Sequence, residues 1–384
     1  MNTVFIIGIF LSFFLQFLLL AKRDKSVADK ILAVWMFIFG VHLFSYYIYS
    51  LGYWEVYPHL VGITNPFPLL HGPMLYLYVL FSLRSDQRFT RIDFLHFTPF
   101  VLSYVYLSRF YLFYTTEQKR MIDRGELDDY SGFMTLSLIA FFVSGFTYTI
   151  ISYRLLGRHQ NMINENFAFR ESINLNWLRY FIWGIGIIFG GAITVEILRD
   201  GLGVDFGFNA DLILYSLIIL FILFLGFFGI RHQDVFTGGY INEERIVESR
   251  TAGEYARSGL KEVDALKYHR RLTELMKSEK PYLEPKLTLS TLAGEMDITP
   301  NHLSQVINQY EGRNFFDFVN GYRVEEFMQR AADPANRNFS ILAIAFDSGF
   351  NSKSSFNEVF KKITGMTPSK YMAWVRAETG NNRL

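Results

Sequence analysis

Apolar positions fill the first 230 residues in long, nearly uninterrupted stretches, and beyond residue 260 they recur in short periodic groups. The long stretches cover about 3–21, 31–52, 63–83, 94–114, 131–153, 177–199 and 210–230. The hydrocarbon core of a bilayer offers backbone N–H and C=O groups no partners, so it is crossed by helices of roughly 20 apolar residues. Seven such stretches predict a polytopic seven-helix transmembrane domain over residues 1–231. The third carries Pro66, Pro68, His71 and Pro73 in its first half, which predicts a kinked or partly unwound start.

The stretch 232–285 reads as a linker, charged and glycine-containing at first and then amphipathic. Over 260–279, Val263, Leu266, Leu272, Leu275 and Met276 fall near helical spacing, predicting a helix packed on the next domain or, alternatively, a dimerising one. In LTLSTLAGEMDITPNHLSQVINQ, Leu289, Leu292, Ala293 and Met296 form one helical face and Leu303, Val306 and Ile307 another. The break at 297–300 offers Thr299 as N-cap and Pro300 as first helical residue. That is a helix-turn-helix pattern over about 289–309.

The plan recurs. Ala293 is followed by Ile298, Leu303 and Ile307, and Ala345 by Phe350, Phe356 and Phe360, with one residue gained in the turn. This predicts a second unit over about 340–363, capped by Asn351 or Ser352, with Gly349 in its turn where a positive φ is plausible. Between the units, Phe315, Phe318, Val319, Tyr322, Val324 and Phe327 predict a connecting helix over about 315–332. The second helix of each unit leaves polar groups outward: Asn301, His302, Gln305 and Asn308 in the first, Lys353, Ser354, Asn357 and Lys361 in the second. Such groups can meet base edges and phosphates, and two reading heads on one connector suit major-groove faces about one turn, roughly 34 Å, apart.

Charge sets direction rather than partner. The net charge is +1, and residues 1–230 hold 16 of the 37 Lys and Arg and 16 of the 36 Asp and Glu, so any basic surface is local. Residues 286–337 hold 5 basic and 7 acidic side chains, against 6 and 3 in 340–384, which makes the second unit the better phosphate binder. Loops after the first, third and fifth stretches carry Lys22, Arg23, Lys25, Lys30, Arg84, Arg88, Arg91, Arg154, Arg158, Arg170 and Arg179. The alternate loops carry Lys119, Arg120, Arg124 and Arg199. The positive-inside rule then puts the N-terminus outside and everything after Arg231 in the cytoplasm, as a multi-pass protein of the cell inner membrane. MNT is uncharged and the basic cluster follows the first stretch, the reverse of a secretory signal peptide, so the first helix is expected to be retained. With no Cys, disulfides, thiolate catalysis and Cys-ligated zinc are excluded.

Over 286–376 the chain resembles the AraC/XylS family of transcription regulators. LSTLAGEMDITPNHLSQVIN corresponds to that family's first unit, and GRNFFDFVNGYRVEEFM to its linker helix, with Asn320 and Arg323 in place. IAFDSGFNSKSSFNEVFKKITGMTPSKY corresponds to the second unit, with Ala345, Gly349, Phe350, Phe356, Phe360, Lys361, Gly365, Pro368 and Tyr371 at the family's spacing. Glu358 departs from it, standing where members often carry a basic residue. With a membrane region ahead of such a domain, the whole is similar to a Bacteroidetes-type subgroup, to which HGPMLYLYV and FRESINLNWLRYF add less specific matches. The resemblance implies an all-α protein with an AraC-type DNA-binding domain over 286–384.

Ionisable residues within apolar stretches are costly and default to functional hypotheses. His42, His71 and Glu196 form the candidate intramembrane signal site, while His96 and Arg109 lie near the two ends of the fourth stretch. Segment directions separate His71 from His96, and Glu196 has a plainer reading as an ion pair with Arg199 or Arg109. No HExxH, GxSxG or Walker loop occurs, so no catalytic residue, metal or cofactor is expected and the protein is not read as an enzyme. The expected function is a membrane-bound, sequence-specific transcription regulator coupling a small-molecule or envelope signal to gene expression. Its expected partners are double-stranded DNA, the lipid bilayer and a second copy of the chain. The coupling is expected to run through the last apolar stretch and the helix over 260–279. The alternatives are an interaction protein whose AraC-like domain docks a protein, and a transporter with a regulatory tail.

Overall fold

The computed structural model describes residues 2–84, 88–169, 176–231, 260 and 262–381. Among these residues all regular elements are helices, and β pairing is confined to one isolated bridge between Phe167 and Thr288. The chain forms two compact units, Met1–Gly157 with Leu175–Tyr240, and Arg158–Asn174 with Ile241–Leu384. The connector 232–259, Arg170 and most of the stretch following Phe169 lie outside the described residues.

The first unit contains α1 (Asn2–Ala21), α2 (Val27–Ser50), α3 (Pro68–Leu83), α4 (Thr98–Phe113), α5 (Ser131–Asn166, whose last residues belong to the second unit), α6 (Asn176–Glu196) and α7 (Asp211–Arg231). Between α1 and α2 the turn is set by polar atoms. Ser26 Oγ accepts from the Asp29 amide at 2.9 Å, Asp29 accepts from the Ser26 amide at 2.8 Å, and Lys22 reaches Asp29 at 2.8 Å. The chain thereby reverses and lays α1 along α2. The core forms around Trp35, Phe39 and Leu43 of α2, with Leu75 and Phe81 of α3, Phe181 of α6 and Ile222 of α7.

The unit's exterior is apolar as well. Phe10 and Phe17 of α1, Val105 and Phe113 of α4, Leu136 and Val143 of α5, Ile187 of α6 and Leu220 of α7 are all exposed. Water penalises a surface of that kind and lipid accepts it. Each of the seven apolar stretches contains a helix, but the helices are unequal in length. Among the described residues 4 helices are long and apolar enough to cross a membrane, Thr3–Ala21, Val27–Ser50, Ser131–Asn166 and Trp177–Arg199. Pro68–Leu83 and Asp211–Phe227 are shorter apolar helices, and α4, at 16 residues, is in neither group. The unwound start anticipated for the third stretch is seen, since helix begins only at Pro68 and the preceding residues are turns.

The second unit contains α8 (Glu262–Ser278), α9 (Leu289–Glu295), α10 (Pro300–Glu311), α11 (Phe315–Ala332), α12 (Ile341–Asp347), α13 (Lys353–Thr364) and α14 (Pro368–Asn381). It has two small cores strung on α11. Phe315, Phe318 and Val319 enter the first, with Leu292 and Ala293 of α9 and Leu303 and Ile307 of α10. Phe316, Val324 and Phe327 enter the second, with Ala345 of α12, Phe356 and Phe360 of α13 and Tyr371 of α14. α8 buries Ala265, Leu272 and Met276, and the latter two join the first core, which is the packed role its pattern allowed. Val263 and Leu266 depart from that pattern. At 81% and 41% exposure they lie off the buried row, which Ala265 joins instead.

Candidate nucleic-acid interface

Both helix-turn-helix units are built by the same backbone device. α9 ends with the Ile298 amide donating to the Ala293 carbonyl at 3.1 Å and the Asp297 amide to that of Gly294 at 3.1 Å. α12 ends with Phe350 donating to Ala345 at 3.1 Å and Gly349 to Phe346 at 3.0 Å. These paired bonds are a Schellman stop, which places one residue in the left-handed region and folds the next, apolar one back into the core. The left-handed residues are Asp297, at φ 52°, and Gly349, at φ 91°. Asp tolerates that conformation. At Gly349 the demand is stricter, because a Cβ there would lie 2.3 Å from the Tyr282 carbonyl oxygen and 2.9 Å from Leu283 Cα.

The second helix of each unit then starts on a hydroxyl cap. Thr299 Oγ1 accepts from the His302 amide at 3.3 Å and Ser352 Oγ from the Ser355 amide at 3.2 Å. Ser352 is thus the cap among the two candidates. α10 and α13 are each 12 residues long and close on Gly312 and Gly365, both at positive φ. α10 buries Leu303, Ser304, Val306 and Ile307, and α13 buries Ser355, Phe356, Val359 and Phe360.

What remains outward differs between the two. On α10, Asn308 is exposed and donates to Ser304 Oγ at 3.5 Å, while Asn301, His302 and Gln305 are half-buried. His302 stacks on Tyr268 of α8, with ring centroids 6.5 Å apart, so its ring is shared with the scaffold. On α13, Lys353, Ser354, Asn357 and Lys361 are all exposed on one side, together with Glu358. Lys362 also faces out and pairs with Asp317 of α11 at 2.8 Å. α13 therefore carries three lysines where α10 carries neither Lys nor Arg. Chemically, α10 offers amide groups for base edges and α13 adds cations for phosphate.

The resemblance placed Asn320 and Arg323 without giving them a task; the structure gives them one. Both are buried where α11 passes from one core to the other. Arg323 Nε donates to the Tyr282 carbonyl at 2.7 Å, Nη2 to that of Glu284 at 2.7 Å, and Nη1 to that of Ala168 at 2.8 Å. Asn320 Nδ2 donates to the same Ala168 oxygen at 3.0 Å and to Phe316 at 2.9 Å. Burial pulls the Arg323 guanidinium down to about 10, still charged at neutral pH. Glu326, one turn on, binds Lys280 at 2.9 Å, Arg330 at 2.8 Å and the Tyr282 hydroxyl at 3.0 Å. Burial pushes its carboxyl up, but the hydrogen bonds from Lys280, Arg330 and Tyr282 outweigh that and leave it below the ordinary carboxylate value. Hydropathy carries no signal for Ala168, since an alanine that acts through its backbone looks like any other.

In the apolar unit His42 and His71 come together, with ring centroids 5.8 Å apart and planes at 17°. Trp35 Nε1 donates to His71 Nδ1 at 3.0 Å, so a neutral His71 carries its proton on Nε2. Tyr215 meets His42 Nε2 at 3.4 Å. Among the described residues, His42 Nδ1 and His71 Nε2 are buried without a hydrogen-bond partner. Glu196 is held elsewhere. Arg199 reaches it at 2.7 Å and also reaches Asp211 at 2.9 Å, which is the plainer ion-pair reading with an acidic residue added. His96 bonds Tyr148 at 2.8 Å. Among the described residues no group of three metal-ligating side chains occurs.

Comparison with known proteins singles out the second unit. Residues 292–373 match the model of a helix-turn-helix domain. The chain is 34% identical over 89 residues to the uncharacterized transcriptional regulatory protein YesN of Bacillus subtilis, covering 23% of this chain and 24% of that one. It is 27% identical over 85 residues to the probable transcription factor PqrA of Proteus vulgaris, covering 22% of this chain and 67% of the relative. It is 32% identical over 95 residues to the uncharacterized HTH-type transcriptional regulator YpdC of Escherichia coli, covering 24% and 31%. The chain thus spans well under half of the first of these relatives. No solved structure matches. These matches support the AraC-type resemblance, and the C-terminal unit carries a helix-turn-helix domain of the kind found in transcription regulators.

Proposed function

We propose that the chain is a membrane-bound, sequence-specific DNA-binding regulator in which the apolar unit senses a signal and the C-terminal domain reads DNA without leaving the membrane. The observation that carries this reading is the repeated unit, in which two helices of equal length, each capped by a hydroxyl and closed by a glycine, sit on one connecting helix. Asn301, Gln305 and Asn308 on α10, with His302 beside Tyr268, face base edges. Lys353, Ser354, Asn357 and Lys361 on α13 face the second half-site and its phosphates. Seven crossings, an external N-terminus and a cytoplasmic C-terminal domain follow from the basic-loop asymmetry and the apolar exterior. The His42–His71 pair is the proposed place where a signal, small molecule or proton acts, and dimerisation is proposed for the DNA-bound form.

The test is selection of random duplexes by the full-length chain in lipid nanodiscs, with the salt dependence of affinity measured for the enriched sequences. A two-part site with half-sites one helical turn apart, and a steep loss of affinity with salt, is expected. Absence of enrichment by folded protein sinks the reading. A second reading, docking of a protein partner by the same domain, is favoured by the exposed Glu358 and the cation-free α10. It predicts no duplex enrichment at all. Topology is tested separately, since the chain has no Cys. In intact cells a membrane-impermeant maleimide is expected to label Asp128→Cys and not Ala335→Cys, and the opposite pattern overturns the orientation.

A further inference from the structure

Phe167–Phe169, which follow the fifth apolar helix, are part of the C-terminal unit, not of the apolar one. After α5 ends at Asn166, Phe167 forms an antiparallel bridge with Thr288, the N-cap of α9, and the Ala168 amide donates to the Leu287 carbonyl at 3.2 Å. The Ala168 methyl is buried in the first core, and its carbonyl receives both Asn320 Nδ2 and Arg323 Nη1. Asn320 and Arg323 sit where α11 leaves the first core and enters the second, and the Tyr282 carbonyl held by Arg323 is the atom against which Gly349 of the second turn is packed. One short strap thus touches the start of the first unit and, through Arg323, the turn of the second.

We propose that Phe167–Phe169 is a regulatory strap of the reading domain. Docked, it fixes the setting of the two helix-turn-helix units relative to each other; withdrawn, it frees them. This rests on the proposal that the domain reads DNA, and it names how that reading is regulated. The physical reason lies in what Arg323 loses. A buried guanidinium must spend its N–H groups on acceptors, and every acceptor recorded for it is a backbone carbonyl or the Asn320 amide oxygen. When Ala168 leaves, Nη1 and the Asn320 amide lose a shared acceptor at the junction of the cores. The strap is covalently continuous with α5, so any change in the apolar unit that favours one position of this loop shifts the equilibrium between docked and withdrawn forms. A two-part DNA site rewards the docked form, because both reading helices are then preset.

The absence of Cys makes a direct test simple. Phe167 and Thr288 are a non-hydrogen-bonded antiparallel pair, the geometry in which side chains stand closest and a disulfide is accommodated. Full-length Phe167→Cys/Thr288→Cys is compared in nanodiscs in its oxidised and reduced forms, beside Ala168→Trp, whose indole overfills the strap's seat. The first readout is amide hydrogen exchange over 316–350. About tenfold faster exchange in Ala168→Trp than in wild type, and slower exchange in the oxidised staple than in its reduced form, are expected. The second is affinity for the duplex enriched by the wild-type chain, expected to fall about tenfold in Ala168→Trp and to be several-fold tighter in the oxidised staple than in its reduced form. Exchange that is the same in all forms overturns the strap, and so does duplex affinity indifferent to the state of the disulfide. Altered exchange with no duplex enriched by any form supports the strap at the junction and sinks the DNA-reading proposal instead. If Ala168→Trp does not fold, the oxidised and reduced staple, which share one sequence, decide alone.

Discussion

The two helix-turn-helix units share a backbone and differ at the surface. α9 and α12 end in the same Schellman stop, α10 and α13 begin on the same kind of hydroxyl cap, and both run 12 residues to a glycine. Yet α13 faces outward with Lys353, Lys361 and Lys362, while α10 faces outward with amides. Backbone geometry has few solutions for a tight turn between short helices, whereas solvated positions are free to diverge. The comparison teaches that the scaffold is duplicated and the surface chemistry is divided, with uncharged amides on one helix and lysines on the other. It also shows one asymmetry in the scaffold itself: the turn of the second unit is pressed against the Pro281–Leu283 turn, so it requires Gly349 where the first accepts Asp297.

Four tests break or sharpen this comparison. Arg323→Ala removes the donor to the carbonyls of Tyr282, Glu284 and Ala168 at the junction of the two units. A loss of roughly 3–5 kcal/mol in the stability of the C-terminal unit is expected, read by denaturant titration of the full chain, since buried acceptors are left unpaired. Equal stability of the variant would show that the junction is not held by this residue. Gly349→Ala is expected to cost about 2–3 kcal/mol, against less than about 1 for Asp297→Gly, because only the former drives a Cβ into backbone. Similar costs at both sites would mean the turns are equivalent after all.

Lys353→Ala with Lys361→Ala tests the division of labour. The slope of log affinity against log salt is expected to shrink by about 2, with base preference unchanged, while Gln305→Ala is expected to relax base preference with the slope unchanged. Reversal of the two patterns would exchange the roles assigned to the helices. The smallest effect belongs to Glu326. Its carboxyl lies below the ordinary value in the folded state, so its contribution is present above the unfolded value near 4.3 and is lost as pH falls through the lower folded value. Wild type should exceed Glu326→Gln in stability by about 1–2 kcal/mol at pH 7, with the gap closing below about pH 4. A gap that widens in acid would contradict the carboxylate's pairing with Lys280 and Arg330.

Much of this architecture was legible before any coordinate. The long apolar stretches, the stop at 297–300, the cap Thr299, a second cap at Asn351 or Ser352, the positive φ at Gly349 and the connecting helix α11 are local matters, decided by residue type within one or two turns of chain. The proline-rich third stretch likewise announced its late start at Pro68. The lysines of α13 and the lack of Lys and Arg on α10 could be read from composition alone.

Tertiary structure decided the rest, because those features depend on residues far apart in the chain. Only packing against the Pro281–Leu283 turn makes glycine obligatory at 349. Only long-range packing brings His42 beside His71, adds Asp211 to the local Glu196–Arg199 pair, and turns His302 toward Tyr268. Most of all, the meeting of Ala168 with Asn320 and Arg323, at separations of 152 and 155 residues, rests on a backbone carbonyl. Every residue type carries a backbone carbonyl, so nothing in the identity of residue 168 could announce that its own would seat a buried guanidinium.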